Sequence, residues 1–260
     1  MPKTRAFIAI LALAALLWGC ASSPPFAGMT AQEIYDESVR LLEEEDWDDA
    51  IAGFERILFG FPTFPLAAEA RINLARAFYA KEQYLSAASE FTRALVRFAT
   101  HEIAPRAALG VCRSYVALSP IPQRDQSYTE QAVQSCGNAS ADFQGTEEAQ
   151  QAFELRRDMV EKLAEKDYQR GHYYLRRGFN DSAIIWFEDV LERYPDTPAA
   201  PKALLGMYDA YRDIGYPEDA AEARERLLSQ YPDSPAAREL RSGNADRDNG
   251  SPPDTAATDP

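Results

Sequence analysis

Along most of the chain, apolar or small residues return every three or four positions. Ile34, Ser38 and Leu41 do so, and then Ile51, Phe54, Ile57 and Leu58, which is the period of a helix with one buried face. No stretch sustains the strict alternation of a half-buried strand. Within this pattern Ala50, Ala87, Ala132, Ala183 and Ala220 are separated by 37, 45, 51 and 37 residues. A period in the middle thirties is that of stacked helix pairs. The two longer intervals imply insertions, one around Ser119–Asp125, which holds Pro120 and Pro122, and one between Gly137 and about Ala164.

The segment around the alanines repeats as well. DDAIAGF at 48–54 precedes Phe61-Pro62, DSAIIWF at 181–187 precedes Tyr194-Pro195, and EDAAEAR at 218–224 precedes Tyr231-Pro232. The last two stretches run on into YPDTP at 194–198 and YPDSP at 231–235. Asp46, Asp48 and Asp181 sit where an acidic side chain caps a helix start. Each proline forces the residue before it out of helical geometry. The expected unit is helix, short turn, helix, proline stop.

The spacing resembles the tetratricopeptide repeat, in which a small residue on the first helix lets the second approach closely. Ser38, Ala75, Cys112, Gly171 and Tyr208 take that place, followed three residues later by Leu41, Phe78, Tyr115, Tyr174 and Tyr211. Tyr208 departs from the pattern, which predicts a splayed last pair. The expected fold is all-α, an α-solenoid of five tetratricopeptide-like helix pairs. Repeats 1–3 would occupy 29–136, a helical inter-repeat segment 137–163, and repeats 4 and 5 164–240. Such a stack buries its core between neighbours and exposes a wall of first helices.

The ends read differently. Lys3 and Arg5 precede an uncharged run from Ala6 to Trp18, so residues 1–19 have the pattern of a signal peptide. Leu17-Trp18-Gly19-Cys20 resembles the lipobox of bacterial lipoproteins, which implies that Cys20 becomes the acylated first residue of the mature chain. Ala21 after it favours the outer membrane, and residues 20–28 would be the lipidated tether. Residues 241–260, rich in Asp, Pro, Ser and Gly, are expected to be disordered.

Removing residues 1–19 takes away two basic residues and no acidic ones, so the mature formal charge is (27 − 2) − 41 = −16. Nucleic acid, which is bound by neutralising phosphates, is excluded as a partner. Chemistry also finds little support. The acidic run from Glu43 to Asp49 has no histidine near it and reads as a solvated turn, and His101 and His172 are far apart. No nucleophile constellation or phosphate loop is present. Neither an enzyme nor a cofactor nor a metal is implied.

What remains is surface. On the aligned first helices the groove-facing positions read Tyr35, Val39, Leu42, then Glu69, Ile72, Arg76, Tyr79, then Arg106, Leu109, Arg113, Val116. An apolar stripe with Arg76 and Arg113 one repeat apart would suit an extended peptide whose terminal carboxylate a guanidinium holds. Alternatively these arginines pair with Glu69 or other carboxylates. Cys112 and Cys136 lie on the two helices of the third repeat, Cys136 where the first, second and fourth repeats carry Phe54, Phe91 and Phe187. They are either a disulfide, the form expected in an oxidising compartment, or two buried thiols.

Two stretches carry a closer resemblance. Leu163-Ala164-Glu165 through Tyr173-Tyr174-Leu175-Arg176-Arg177-Gly178, and Arg124-Asp125-Gln126-Ser127-Tyr128-Thr129 in the third repeat, resemble the BamD family, tetratricopeptide lipoproteins of the outer-membrane β-barrel assembly machine. The resemblance spans about residues 20–240. It implies a non-enzymatic scaffold on the periplasmic face of the outer membrane, held in the lipid by the acylated Cys20. Its partners would be a BamA-like barrel assembly protein, bound through the carboxyl-terminal repeats, and substrate outer-membrane proteins with an aromatic-ended β-signal. Tyr174, Arg176 and Trp186 are the expected partner interface. Where family members often carry Asn-Arg, this chain has Ile185-Trp186, so Trp186 is either an aromatic anchor or a core residue. The rival reading is another periplasmic repeat lipoprotein, a secretin pilotin or a cell-wall coordinator.

Overall fold

The computed structural model describes residues 26–248, with side chains described for 26–242. The signal peptide, Cys20, most of the tether and residues 249–260 lie outside the described residues. Among the described residues the structure is entirely helical: α1 (Ala31–Glu43), α2 (Trp47–Gly60), α3 (Ala67–Ala80), α4 (Tyr84–Arg97), α5 (Ala104–Leu118), α6 (Ser127–Asp142), α7 (Glu147–Leu175), α8 (Asn180–Arg193), α9 (Ala199–Ile214), α10 (Pro217–Gln230) and α11 (Pro235–Asp248). The five repeat alanines all fall in the first two turns of the second helices α2, α4, α6, α8 and α10 and are buried. The chain divides into two compact units, Met1–Ala107 and Ala108–Pro260, with the division inside α5.

In the first unit, α2 packs on α1, α3 on α2 and α4 on α3. Ile34, Phe54, Ile57, Ala70, Leu74 and Ala77 form the core, with Phe26 and Met29 laid against it. The close approach foreseen at Ser38 is made to Gly53 of α2: a Cβ there would lie 1.9 Å from Ser38 Oγ. In the second unit the core runs through Leu163, Ala183, Phe187, Val190, Ala203 and Met207. Phe187 is completely buried, with Gly171 of α7 on one side and Gly206 of α9 on the other. A Cβ on either glycine would come within 2.7 Å or 2.6 Å of the ring.

The last pair is not splayed on account of Tyr208. The large group has changed helices: Tyr208 is half-buried against the core, and the second-helix position that holds Phe187 one repeat earlier is here the exposed Arg224. Ala220, Ala223 and Leu227 remain buried and α9 packs on α10.

Helix ends correct one expectation and extend another. Asp46 occupies the N-cap of α2 but its side chain makes no capping bond, and Asp48 and Asp181 lie inside the first turn, where their charge favours the positive helix end. Side-chain caps occur at Thr30, in a capping box with Glu33, and at Thr146, whose Oγ1 accepts from the Ala149 amide at 3.1 Å. At the other end, the residue before the proline is the non-helical C-cap in α2, α8 and α10, as expected, but α4 and α6 end in the same way without a proline. Phe61, Phe98, Phe143, Tyr194 and Tyr231 are the C-caps of all five, with φ of −133°, −125°, −120°, −135° and −130°. Phe98 and Phe143 are followed by Ala99 and Gln144. The shared element is an aromatic ring buried or half-buried at the turn. The two YPD turns are tied directly, since the Tyr231 hydroxyl donates to the Pro195 carbonyl at 2.7 Å.

The proposed segment 137–163 is not a separate element. Gly137 lies within α6, and residues 147–163 are continuous with the first helix of the fourth repeat in the 29-residue α7. Likewise α11 carries the chain helically past Leu240 to Asp248.

Candidate functional site: partner-binding surfaces

The expected groove residues do not form one apolar stripe. Ile72 and Leu109 are each only 5% exposed and belong to the core. On the first unit the wall is polar and hydrogen-bonded instead. Asn73 Nδ2 donates to the Tyr35 hydroxyl at 3.4 Å, and Arg76 donates to Asn73 Oδ1 at 2.9 Å. The Tyr35 ring sits between Phe54 and Phe64, with centroids 6.2 and 6.0 Å away. Burial raises the pKa of its hydroxyl, Glu69 raises it further, and the Arg106 guanidinium opposes them. Tyr79 stacks edge-on against Tyr84 at 5.1 Å.

Arg76 and Arg106 are exposed. Among the described residues neither has a carboxylate within ion-pair distance, so the alternative in which Arg76 pairs with Glu69 is not what the structure shows; one Glu69 oxygen is buried without a hydrogen-bond partner. Two guanidinium groups beside a tyrosine hydroxyl and an asparagine amide can hold a carboxylate and a peptide group. Arg113 lies in the second unit, where it donates to Gln151 Oε1 at 2.6 Å. It is therefore an exposed side chain partnered by an amide.

In the second unit the Cys112 and Cys136 sulfurs are bonded, with their Cα atoms 4.6 Å apart. Both residues are completely buried. The third repeat also holds a polar network that the spacing alone did not reveal. Gln126 Nε2 donates to the carbonyls of Ile121 and Arg124, Thr129 Oγ1 donates to Gln126 Oε1 at 2.7 Å, and Ser119 Oγ lies 2.6 Å from Thr129 Oγ1. Lys162 of α7 closes it, donating to Ser119 Oγ at 2.8 Å and to the Ser119 carbonyl at 3.2 Å. Desolvation lowers the pKa of this lysine. The Asp-Gln-x-x-Thr motif is thus the clasp of the Pro-rich insertion: Asp125 caps Ser127, and Gln126 and Thr129 satisfy the loop's inner groups. The motif was visible; Lys162, 33 residues away, carried no signal.

The expected partner interface is partly assembled. Trp186 is half-buried under the Arg170 guanidinium, 4.1 Å from the ring centroid, and so is neither a free anchor nor a core residue. Next to it Ile185 is 63% exposed. Tyr174 is half-buried in the core edge, in edge contact with Tyr173 and Phe179. Arg176 is the exposed C-cap of α7. Tyr173 lies under Arg177 at 4.5 Å, and Phe179 is 58% exposed. Rings with guanidinium groups over them are the composition of binding hot spots.

Repeated helix pairs of this length, whose outer surfaces carry aromatic and guanidinium groups, define a helical-repeat protein of the tetratricopeptide type. Residues 27–227 match the family YfiO, described as outer membrane lipoprotein, and the chain belongs to that family. It is 28% identical over 219 residues to the outer membrane protein assembly factor BamD of Caulobacter vibrioides, covering 82% of this chain and 72% of the relative. To the protein of the same name from Rickettsia prowazekii it is 26% identical over 223 residues, covering 85% and 88%. Among solved structures, the TPR2AB domain of yeast Sti1 in its Hsp90 complex aligns at 14% identity with a TM-score of 0.41, covering 84% of both chains.

Proposed function

We propose that the protein is a non-enzymatic scaffold of outer-membrane protein assembly, anchored by an acylated Cys20 on the periplasmic face of the outer membrane. The observation that carries this reading is the family match over residues 27–227, together with relatives that bear the name of an assembly factor. The carboxyl-terminal repeats bind the periplasmic domains of a BamA-like barrel protein through the surface around Tyr174, Arg176 and Trp186. The first-helix wall of the first unit receives the terminal β-signal of substrate barrel proteins, with Arg76 and Arg106 on its carboxylate and Tyr35 and Tyr79 beside its aromatic end. Two exposed guanidinium groups with no carboxylate in ion-pair distance among the described residues support that assignment.

Affinity purification from detergent-solubilised outer membranes tests the scaffold: the large barrel protein should co-purify, whereas recovery of a secretin without it would assign the chain to another machine. Titration tests the wall. Replacing Arg76 and Arg106 together with Ala should weaken a peptide ending in an aromatic residue by at least about 1.5 kcal/mol, and unchanged binding would remove the wall as receiver.

A further inference from the structure

In the first unit the two second helices share a feature that no other repeat has. Arg56 and Phe59 on α2, and Arg93 and Val96 on α4, stand 37 residues apart in equivalent register. Each arginine is three residues before its apolar partner, so the two side chains of a pair are neighbours on one helix face. Phe59 is 85% exposed and Val96 76%, the two most exposed of the large hydrophobic residues in the described chain. A lone exposed apolar residue is ordinary; the same position left bare in two successive repeats is a pattern. The equivalent places later in the chain hold Asn138 and Ala141, Asp189 and Glu192, and Arg226 and Ser229.

The edge carries three arginines, Arg56, Arg93 and Arg97, against two acidic residues, Glu55 four residues before Phe59 and Glu90. Glu90 pairs with Arg93 and Arg71, and among the described residues Arg56 has no carboxylate within ion-pair distance. Guanidinium groups next to bare apolar side chains are the composition of a surface that lies on anionic lipid.

The position of the amino end allows the same partner. Phe26 is packed onto α2 at Gly53, where a Cβ would lie 2.8 Å from its ring. Cys20 is six residues earlier, a length of chain that reaches at most about 20 Å. Phe59 is six residues beyond Gly53 on the same helix, about 9 Å further along its axis. A bilayer that holds Cys20 is therefore within roughly 30 Å of this edge.

We infer that the Arg56–Phe59 and Arg93–Val96 edge of the first two repeats docks on the anionic phospholipid surface to which Cys20 is fastened, so that the amino-terminal unit is held against the membrane on a defined side. This rests on the anchoring proposed above. It adds that the anchor orients the unit as well as retaining it.

The test uses the full-length acylated protein in vesicles of phosphatidylethanolamine and phosphatidylglycerol, with a polarity-sensitive dye on Phe59→Cys, Val96→Cys or, for comparison, Gln32→Cys on α1. Mass analysis first establishes acylation at Cys20; an unmodified Cys20 overturns the anchoring reading and with it this inference. With acylation present, dye at 59 and 96 should shift to the blue and be quenched by lipid-borne quenchers, and dye at 32 should not. Equal signals at all three positions, or protection at 59 only when a partner protein is added, overturn the docking and leave the anchor standing. In the Cys20→Ala chain, Phe59→Ser with Val96→Ser should lower vesicle binding roughly tenfold without changing the melting temperature, because both side chains are already exposed. Undiminished binding by that variant also overturns the docking.

Discussion

The third and fourth repeats solve the same packing problem in two ways. In the fourth, the interior is filled by one large ring: Phe187 lies in the slot made by Gly171 and Gly206, both of which must lack a side chain for the helices to close. In the third, the equivalent ring is missing, its place is taken by Cys136, and the helices are held by a covalent bond to Cys112. The third repeat also carries the long Pro-rich connection, which the fourth replaces with a short turn through Gly178, a residue at φ +74°. One hairpin is stabilised by burial and shape, the other by a cross-link and a polar clasp. Shape complementarity acts in the folded state, whereas the cross-link acts chiefly by narrowing the unfolded ensemble.

Experiments can break each solution separately. The largest effect is expected at Phe187→Ala, about 4 kcal/mol of unfolding free energy for a fully buried ring, measured by denaturant titration. Adding a methyl at Gly206→Ala should cost about 2 kcal/mol through overpacking, but little in a Phe187→Ala background. A cost that persists there would show that the glycine is needed for something other than the ring.

The third repeat should respond to chemistry instead. Reduction, or replacement of Cys112 and Cys136 together by Ala, should lower stability by about 3 kcal/mol, the loop-entropy value for a crosslink over 24 residues. The fourth repeat's glycine variants should be no more sensitive to reductant than the unmodified chain. A larger loss on reduction in those variants than in the unmodified chain would mean that the two hairpins are coupled.

The clasp comes next in size. Lys162→Met leaves the Ser119 carbonyl and hydroxyl without their donor, and about 2 kcal/mol should be lost. The sign of its pH dependence follows from desolvation. The folded chain holds the lysine proton more weakly than the unfolded chain, whose pKa is near the ordinary value of about 10.4. As pH rises from the depressed folded value toward that ordinary one, the unfolded state binds more protons than the folded state, and this group's contribution to stability rises. Melting curves across the alkaline range should show a rising contribution that Lys162→Met abolishes. Smallest of all, Trp186→Ala removes the stacking of Arg170 and should cost under about 1 kcal/mol; a larger loss in barrel-protein binding than in stability would mark it as a contact residue.

Much of this was legible residue by residue. Ala50, Ala87, Ala183 and Ala220 located second helices to within a turn because close helix packing leaves room only for a methyl group there. Ser38 and Gly171 marked first helices for the same reason. Other features were not legible because they depend on partners distant in sequence. Ile72 and Leu109 have the spacing of wall residues but are almost completely buried. Lys162 has nothing nearby to distinguish it from the lysines around it, and only the fold brings it to Ser119. Proline marked the end of three second helices, after Phe61, Tyr194 and Tyr231, but gave no sign of the ends at Phe98 and Phe143, where only the aromatic C-cap is shared.

Periodicity, small-residue spacing and turn chemistry are local quantities, so the sequence by itself determined the helical class, the number of pairs, the place of each second helix and the identity of the family. Which face of each helix is buried, which arginines lack a carboxylate and which apolar residues stay bare are decided by contacts across 20 to 40 residues, and those came from the tertiary structure alone. Burial is a property of a neighbour's position, and a one-dimensional pattern records the neighbour only when the repeat is regular. Where the third repeat breaks its register, at the long connection and the cross-linked pair, the pattern stopped being informative and the packing took over.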